Sequence, residues 1–454
     1  MLPITEITKC LQGTMTKANI GIFLSLVTSF LSCRYEITTR GLSRYCNYSL
    51  RQIFRFLLKE QNWLLIRISL FKFFFYQKDE LYILAVDEVV EGKSGSHSYG
   101  LARFYSGCSQ KTIQGICFFA LSLIKVSTKS SYLLHTLQVI YSKEDKKRIA
   151  EKKEKTKQGK QRTKDGQNLR KGRKTKEIKE IKETKEIKEN LTASFRVFKE
   201  LFTSSISLLK TLMADIKIAY LVADTAYGTL DYLKTAQEYG CNLISKMRYN
   251  VALYEPAEKE KGKRGRPPLY GKKIDLDNID ARYLKKTEQK EGKTHKYYQF
   301  SAYNKSIRGI LLNVVVLITT DEKSKSSTNV WFSNDLTINY EILLEYYSLR
   351  FQIEFHFRDA KQHFGLADFK NYKEKNLNNF VNLSFTMCLI SEIILQKYRA
   401  ELQNSKLSIL DLKIIFNVQF TAKKLIKYLR LDDHNNFYSN NIAKFIPTDI
   451  INRL

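Results

Sequence analysis

Apolar residues along the 454-residue chain follow two periods. Up to about residue 75 they recur every three or four positions, the spacing of helices with one buried face. The run IGIFLSLVTSFLS (20–32) is apolar but only 13 residues long, and it holds three serines and a threonine. A helix needs about 20 apolar residues to span a bilayer, so this run predicts a buried helix. In TTRGLSRYCNYSLRQIFRFLLKEQNW (38–63), Thr38 or Thr39 is placed to cap one short helix and Ser49 a second. Their hydroxyls can accept from the free N–H groups of a first turn. On the second helix Phe54, Leu57 and Leu58 are expected to face inward, and Arg51, Gln52 and Arg55 outward. The pair suits a helix-turn-helix facing DNA, and equally a small bundle with its cations in water.

From residue 80 the period changes. ELYILAVDEV (80–89) is a continuous apolar run closing on acids, as in a strand covered on both faces and ending at Asp87. TIQGICFFALSLIKV (112–126) and SYLLHTLQVIYS (131–142) predict further strands, with Gly92, Gly95, Gly100 and Gly107 as turns before them. TASFRVFKELFTSSISLLKTLM (192–213) is an amphipathic helix, and KIAYLVADTAYG (217–228) a buried strand with Asp224 at its end. LDYLKTAQEYG (230–240) is a helix stopped by Gly240, and NLISKMRYN (242–250) a strand. The order β, β, β, insertion, α, β, α, β predicts a mixed α/β domain. KYYQFSAYN (296–304), GILLNVVVLITT (309–320) and NVWFSND (329–335) predict a β-rich insertion. Two helices with broad apolar faces follow, at 378–402 and 407–429, suited to close the core or form a subunit interface. The expected organisation is an N-terminal helical domain (1–75), an α/β core (76–250, with 341–372), a β-rich insertion (251–340) and a C-terminal helical region (373–454).

Composition adds a partner. There are 76 Lys+Arg against 46 Asp+Glu, a net charge of +30. A folded chain this basic repels itself unless it meets a polyanion, so nucleic acid is the expected partner and an anionic membrane surface the weaker one. Residues 143–190 hold 20 Lys+Arg and 10 Asp+Glu, +10 of that charge, and end in KEIKEIKETKEIKE. A three-residue repeat winds Ile178, Ile181 and Ile187 around a helix, so they form no buried face. The stretch therefore reads as a solvated, disordered or loosely helical insertion. In KGKRGRPPLYGKK (261–273), Arg264 and Arg266 suit a minor-groove arm or a plain basic turn. The seven cysteines are odd in number, widely spaced and free of any CxxC, which argues against a disulfide framework or a zinc site and suits a reducing cytoplasm. No basic segment leads into an apolar stretch at the Met1 end, so no signal peptide is expected.

The segment YYSLRFQIEFHFRDAKQHFG (346–365) has helical spacing but many charges. On one continuous helix at about 100° per residue, Tyr347, Arg350, Glu354 and Lys361 share a stripe about 60° wide. Phe351, Phe355 and Phe357 flank it, and His356 and His363 lie opposite. Alone, it reads as a partly exposed helix with ordinary ion pairs. Glu354 with Arg358 is one such pair, worth about 0.2–0.5 kcal/mol. Two acids elsewhere change that reading. Asp87 and Asp224 each close a buried strand, at the edge where open sheets bind ligands. A carboxylate there is costly unless it is paired or binds a metal. With Glu354 they form a candidate triad, whose members raise one another's pKa unless a cation intervenes. Oxygen-only ligands point to Mg²⁺, with Mn²⁺ as substitute, and not to zinc. Two such ions about 3.5–4 Å apart serve phosphodiester chemistry.

These residues carry a resemblance. Tyr347, Arg350, Glu354 and Lys361 match the pattern Y-x2-R-x3-E-x6-K, VADTAYG surrounds Asp224, and AVDEVVEGKSG surrounds Asp87. The chain thereby resembles the DDE transposases of bacterial insertion sequences, in the group with the Tyr-Arg-Glu-Lys signature, over about residues 38–372. The resemblance implies a ribonuclease H-like catalytic domain and cut-and-paste DNA transposition in the cytoplasm. Asp87, Asp224 and Glu354 would hold two Mg²⁺ ions, while Tyr347, Arg350 and Lys361 would grip phosphates of the transposon end. Partners would be double-stranded DNA, as transposon end and target, and a second copy of the chain. Many relatives carry a second Asp where this chain has Glu88; of the two acids Asp87 is taken as the first ligand, because the strand is expected to end there. Two other readings stay open: a structure-specific nuclease on the same fold, and a catalytically decayed DNA-binding protein.

Overall fold

The computed structural model describes residues 4–107, 109–151, 154, 192–257, 268–323, 325–403 and 406–428. Five helices come first: α1 (Ile4–Leu11), α2 (Lys17–Ser32), α3 (Thr39–Ser43), α4 (Leu50–Leu58) and α5 (Trp63–Phe74). Thr38 caps α3 through the N–H of Gly41, and Ser49 and Gln52 cap α4 reciprocally, satisfying donors that a first turn leaves free. The buried face of α4 is Ile53, Phe56 and Leu57. Phe54 and Leu58 are exposed, contrary to expectation. The stripe at i, i+3, i+4 starts at Ile53, and Phe54 and Leu58 stand about 100° away from it. Arg51 and Arg55 face solvent.

The strands are β1 (Leu81–Gly92), β2 (Ala102–Ser106), β3 (Lys111–Lys125), β4 (Ser130–Val139), β5 (Lys217–Ala223) and β6 (Asn242–Met247). Then follow β7 (Leu253–Pro256), β8 (Tyr270–Lys273), β9 (Leu284–Lys290), β10 (Lys293–Asn304), β11 (Ile307–Thr320) and β12 (Ser326–Ser333). All join one sheet of order β2-β3-β1-β5-β6-β12-β11-β10-β7-β8, with β4 beside β3 and β9 beside β10. β1 runs antiparallel to β3 and parallel to β5, which is parallel to β6. The strands of 251–340 are thus no separate sheet: β12 pairs antiparallel with β6 and carries the sheet onward. Short β2, β7 and β8 and the solvent-facing β9 escape the sequence pattern because none carries an apolar run.

Residues 143–151 begin α6. Buried Asp145 accepts from Arg148 and Arg196 there, so the Lys-rich stretch starts as an anchored helix and not as open coil. The repeats at 176–189 lie outside the described residues, as do Arg264 and Arg266. The remaining helices are α7 (Ala193–Leu212), α8 (Leu230–Glu238), α9 (Tyr340–Leu349), α10 (Gln352–His363), α11 (Glu374–Glu401) and α12 (Ile409–Tyr428). Alternate residues of β1 serve two cores. Tyr82, Leu84 and Val86 join the large core, which also takes in side chains of α2, α4, α5, α7, α8 and α11. Ile83 and Ala85 join Val222, Ile244, Leu343 and Leu349 beneath α9. α11 is long and apolar enough to cross a membrane, but 89% of its apolar window is buried in the fold, as befits a central core helix.

Candidate active site

The strand does not end at Asp87, as its sequence suggested; β1 continues to Gly92. What distinguishes Asp87 is the two-residue period of a strand. It follows Ile83 and Ala85 on the α9 side, whereas Glu88 follows Tyr82, Leu84 and Val86 on the other. The parallel register pairs Val86 with Ala223. Asp224 is the next residue, on the same side as Val222, and its backbone carbonyl accepts from Ser245 Oγ at 3.0 Å. The backbones carrying Asp87 and Asp224 are therefore neighbours, about 4.8 Å apart.

The third acid arrives on a broken helix. The continuous helix expected over 346–365 is interrupted between α9 and α10. The N–H groups of Arg350, Phe351, Ile353 and Glu354 each donate to the carbonyl three residues back. Such 3₁₀ winding advances about 120° per residue instead of 100°, so the stripe does not keep its helical phase. Arg350 occupies the break. Its Nη1 donates to Asp87 Oδ2 at 2.7 Å and its Nη2 to Glu354 Oε1 at 3.1 Å. Tyr347 reaches Asp224 Oδ1 at 3.5 Å. Five of the six residues expected at the centre thus converge. The expected Glu354–Arg358 pair does not form, since Arg350 holds Glu354 and Arg358 lies 3.5 Å from Asp359. Lys361 sits further along β1, bonded to Glu91 Oε2 at 3.1 Å and the Val90 carbonyl at 3.2 Å. His356 points away and shares a hydrogen bond with Ser131 at 3.1 Å. Burial pushes its pKa down to about 4, which keeps it neutral.

Electrostatics mark the centre. Burial first, then the nearby Asp224 and Glu354, push the Asp87 carboxyl up to about 6 against the pull of Arg350. Burial acts to lower the pKa of Arg350, but Asp87, Tyr347, Asp224 and Glu354 outweigh it and the net shift is upward. Among the described residues no three His, Cys, Asp or Glu side chains stand close enough to hold a metal as they are. The donor set is nevertheless carboxylate oxygen alone, gathered around one cationic group where repulsion calls for positive charge. That chemistry fits a hard divalent cation. Two neighbours escaped the sequence reading. Trp331 of β12 and Lys246 of β6 are register partners, and Trp331 packs edge-on to Tyr347 with ring centroids 6.1 Å apart. Only the pairing of β12 with β6 brings them there.

Glu88 contrasts with its neighbour. Its Oε2 receives the Cys117 thiol at 3.6 Å, Ser194 stands close enough to favour its charged form, and its buried Oε1 makes no hydrogen bond. Burial raises its pKa. A carboxyl whose folded pKa is raised destabilises the fold when ionised, and the penalty grows as pH rises from the unfolded pKa through the folded one. Glu88→Gln is therefore expected to raise Tm at pH 8 and to change it little at pH 4. An equal shift at both pH values would refute the burial account.

The match to the family model of "DDE superfamily endonuclease" spans residues 22–303, more than half of the chain. This chain belongs to that family. The matched span includes Asp87 and Asp224 and stops short of Glu354. Among curated relatives of this chain is the "Transposase for insertion sequence element IS231E" of Bacillus thuringiensis subsp. finitimus. It is 25% identical over an alignment of 272 residues that covers 51% of this chain and 56% of the relative. The "Transposase for insertion sequence element IS231B" of Bacillus thuringiensis subsp. berliner is 26% identical over 277 residues, with the same shares. The chain thus spans about half the length of the curated relatives it matches. A solved structure described as "Cryo-EM structure of piggyBac transposase synaptic complex with hairpin DNA (SNHP)" aligns over 98% of this chain and 82% of its own, at 14% identity. Its TM-score of 0.42 is too low to bear on the site.

Proposed function

We propose that this chain is a DNA transposase of the Tyr-Arg-Glu-Lys group, moving an insertion sequence by cut-and-paste phosphodiester chemistry. The observation that carries the reading is the meeting of Asp87, Asp224 and Glu354 around Arg350 on one side of the sheet. The antiparallel β4, β3 and β1, extended by parallel β5 and β6, support a ribonuclease H-like catalytic core. Asp87, Asp224 and Glu354 are the residues that would hold Mg²⁺. Bound there, the metal supplies activation of the attacking oxygen and neutralisation of the leaving one. Tyr347 and Arg350 then turn from the acids to the phosphates of the element's end, and Lys361 leaves Glu91 for the same backbone. Hydrolysis of the phosphodiester releases a 3′-hydroxyl, which attacks the opposite strand to give a hairpin; once that is opened, the 3′-hydroxyl attacks target DNA. Catalysis is then positioning plus charge neutralisation. Two copies pair the two ends, with each active site cutting in trans.

The test is cleavage of a plasmid carrying the gene and its flanks, in Mg²⁺ or Mn²⁺, by wild type and Glu354→Gln. Cuts at two fixed flanking positions, lost in the variant, are the expected result. Binding with no cuts in either metal would replace this reading with a decayed DNA-binding protein. Cuts that follow junction shape and not end sequence would indicate a structure-specific nuclease.

We also assign DNA contact to the solvent-facing side of α4. Removing Arg51 and Arg55 together should lower the slope of log K against log salt by about two units, because each phosphate contact contributes roughly 0.9. An unchanged slope in a fluorescence-anisotropy titration would return α4 to the role of a structural bundle helix.

A further inference from the structure

Beyond Glu91, β1 runs into the loop GKSGSHS (92–98), which faces the strap at 367–372 after α10. Between them is a cleft of about 620 Å³. Lys93, His97 and Lys370 line it together with Ser94, Ser96 and Asn371, and no acid does.

The cleft is built and not merely left open. The Tyr99 N–H donates to the Tyr372 carbonyl at 2.8 Å and ties loop to strap. Lys93 Nζ sits 3.6 Å from the Phe369 ring centroid and donates to the Phe369 carbonyl at 3.1 Å. Gln114 Nε2 holds the Lys93 and Gly95 carbonyls from behind, at 3.4 and 3.2 Å. The nearby Asp368 carboxylate is engaged with the Ile37 N–H at 2.9 Å. Two groups remain uncommitted. Lys370 is exposed and has no ion-pair or hydrogen-bond partner among the described residues. Asn371 is 8% exposed; its Oδ1 accepts from Thr39 at 3.2 Å, while its buried Nδ2 has no acceptor. A buried amide donor left unmet costs about 1–3 kcal/mol. A cleft with two lysines, the hydroxyls of Ser94, Ser96 and Ser98 and an unmet amide donor has the chemistry to receive an anion.

We infer that this cleft is a second anion site, which takes a phosphate of the DNA backbone some distance from the cleavage centre. Five residues of β1 separate Gly92 from Asp87, about 16 Å at roughly 3.3 Å per residue. That is about five backbone phosphates at 3.4 Å each along a strand. A duplex whose reacting phosphate lay at the acids and which followed β1 would pass Lys361 and then reach the cleft. The ionisation of Lys93 agrees: burial lowers its pKa, Lys370 lowers it further, and Glu91 and Asp368 only oppose. A bound phosphate would relieve that repulsion. The inference rests on the proposed DNA substrate, and its test separates the two.

Wild type, Lys370→Ala and Lys370→Arg, each as the whole 454-residue chain, are titrated with a fluorescent random-sequence duplex over a series of salt concentrations, and separately with inorganic phosphate by calorimetry. Lys370→Ala is expected to bind the duplex more weakly and to lose about one unit of salt slope, with Lys370→Arg restoring it. A wild-type slope in Lys370→Ala overturns the site and leaves the transposase reading intact. Loss of inorganic phosphate binding in Lys370→Ala with no change on the duplex would make the cleft a free-phosphate site, which also overturns it. If wild type fails to bind the duplex at all, the transposase reading fails and this inference fails with it.

Discussion

Replacing Asp87 by asparagine is expected to abolish metal-dependent DNA cleavage, while Glu88→Gln, one residue further on, leaves it intact. The two carboxyls are adjacent in sequence and both are half-buried. They lie on opposite faces of β1, because successive side chains of a strand alternate. Asp87 meets Arg350 at 2.7 Å and feels Asp224 and Glu354. Glu88 meets a thiol in the large core. Asn in place of Asp87 keeps the shape and removes the charge that would hold a cation. The loss should at least equal the roughly 10²–10³-fold that removal of one charge-stabilising group costs elsewhere. Duplex affinity should persist, since backbone phosphates and not this acid provide it. The measurement is the initial rate of plasmid nicking in Mn²⁺, with anisotropy as the binding control. Activity retained by Asp87→Asn and lost by Glu88→Gln would invert the assignment of β1's faces.

The largest stability effect is expected at Asn382. Arg67 of α5 is fully buried, with no carboxylate bonded to it among the described residues. Its guanidinium is satisfied by neutral groups from two elements, α11 and β4. Nη2 donates to the Asn382 carbonyl at 2.9 Å and to Asn382 Oδ1 at 2.5 Å. Nε donates to Thr386 at 3.0 Å, and Nη1 to the Leu134 carbonyl and Thr136, both at 3.3 Å. This network joins the N-terminal helices to α11 and β4. Asn382→Leu removes the amide acceptor shared by Arg67 and Thr136. Removing a hydrogen bond to a buried charged group costs about 1.5–3 kcal/mol, and equilibrium urea unfolding of the full chain should show it as a fall in midpoint at constant m. Adding Arg67→Met should recover part of the loss, because an apolar pair carries no unmet charge. A loss under about 1 kcal/mol would mean that the guanidinium finds other acceptors, at the usual net worth of a single hydrogen bond.

Much of this architecture was legible before any tertiary information. Thr38 and Ser49 announced two helix starts, since capping is a contact over three residues. Apolar runs announced β1, β3, β5 and β11, since burial on both faces leaves no polar position to conceal. Asp87 and Asp224 stood out as candidates because a carboxylate beside a buried run is too costly to be idle, whereas the spacing to Lys361 grouped with them a residue that stands apart on Glu91.

Other features belong to the assembled chain alone. Whether Asp87 or Glu88 faces Asp224 depends on which side of β1 receives α9, a choice made by residues more than 250 positions later. The break at Arg350 overrides helical phase because the guanidinium bonds two acids at once, and one of them is on another element. The strands of 251–340 extend the sheet because β12 pairs with the edge of β6, and register between distant strands is not written in either strand alone. Local periodicity therefore determined the elements and the candidate chemistry. Long-range pairing decided the face, the partner and the charge balance of each acid, because those energies exist only once separate segments share one desolvated surface.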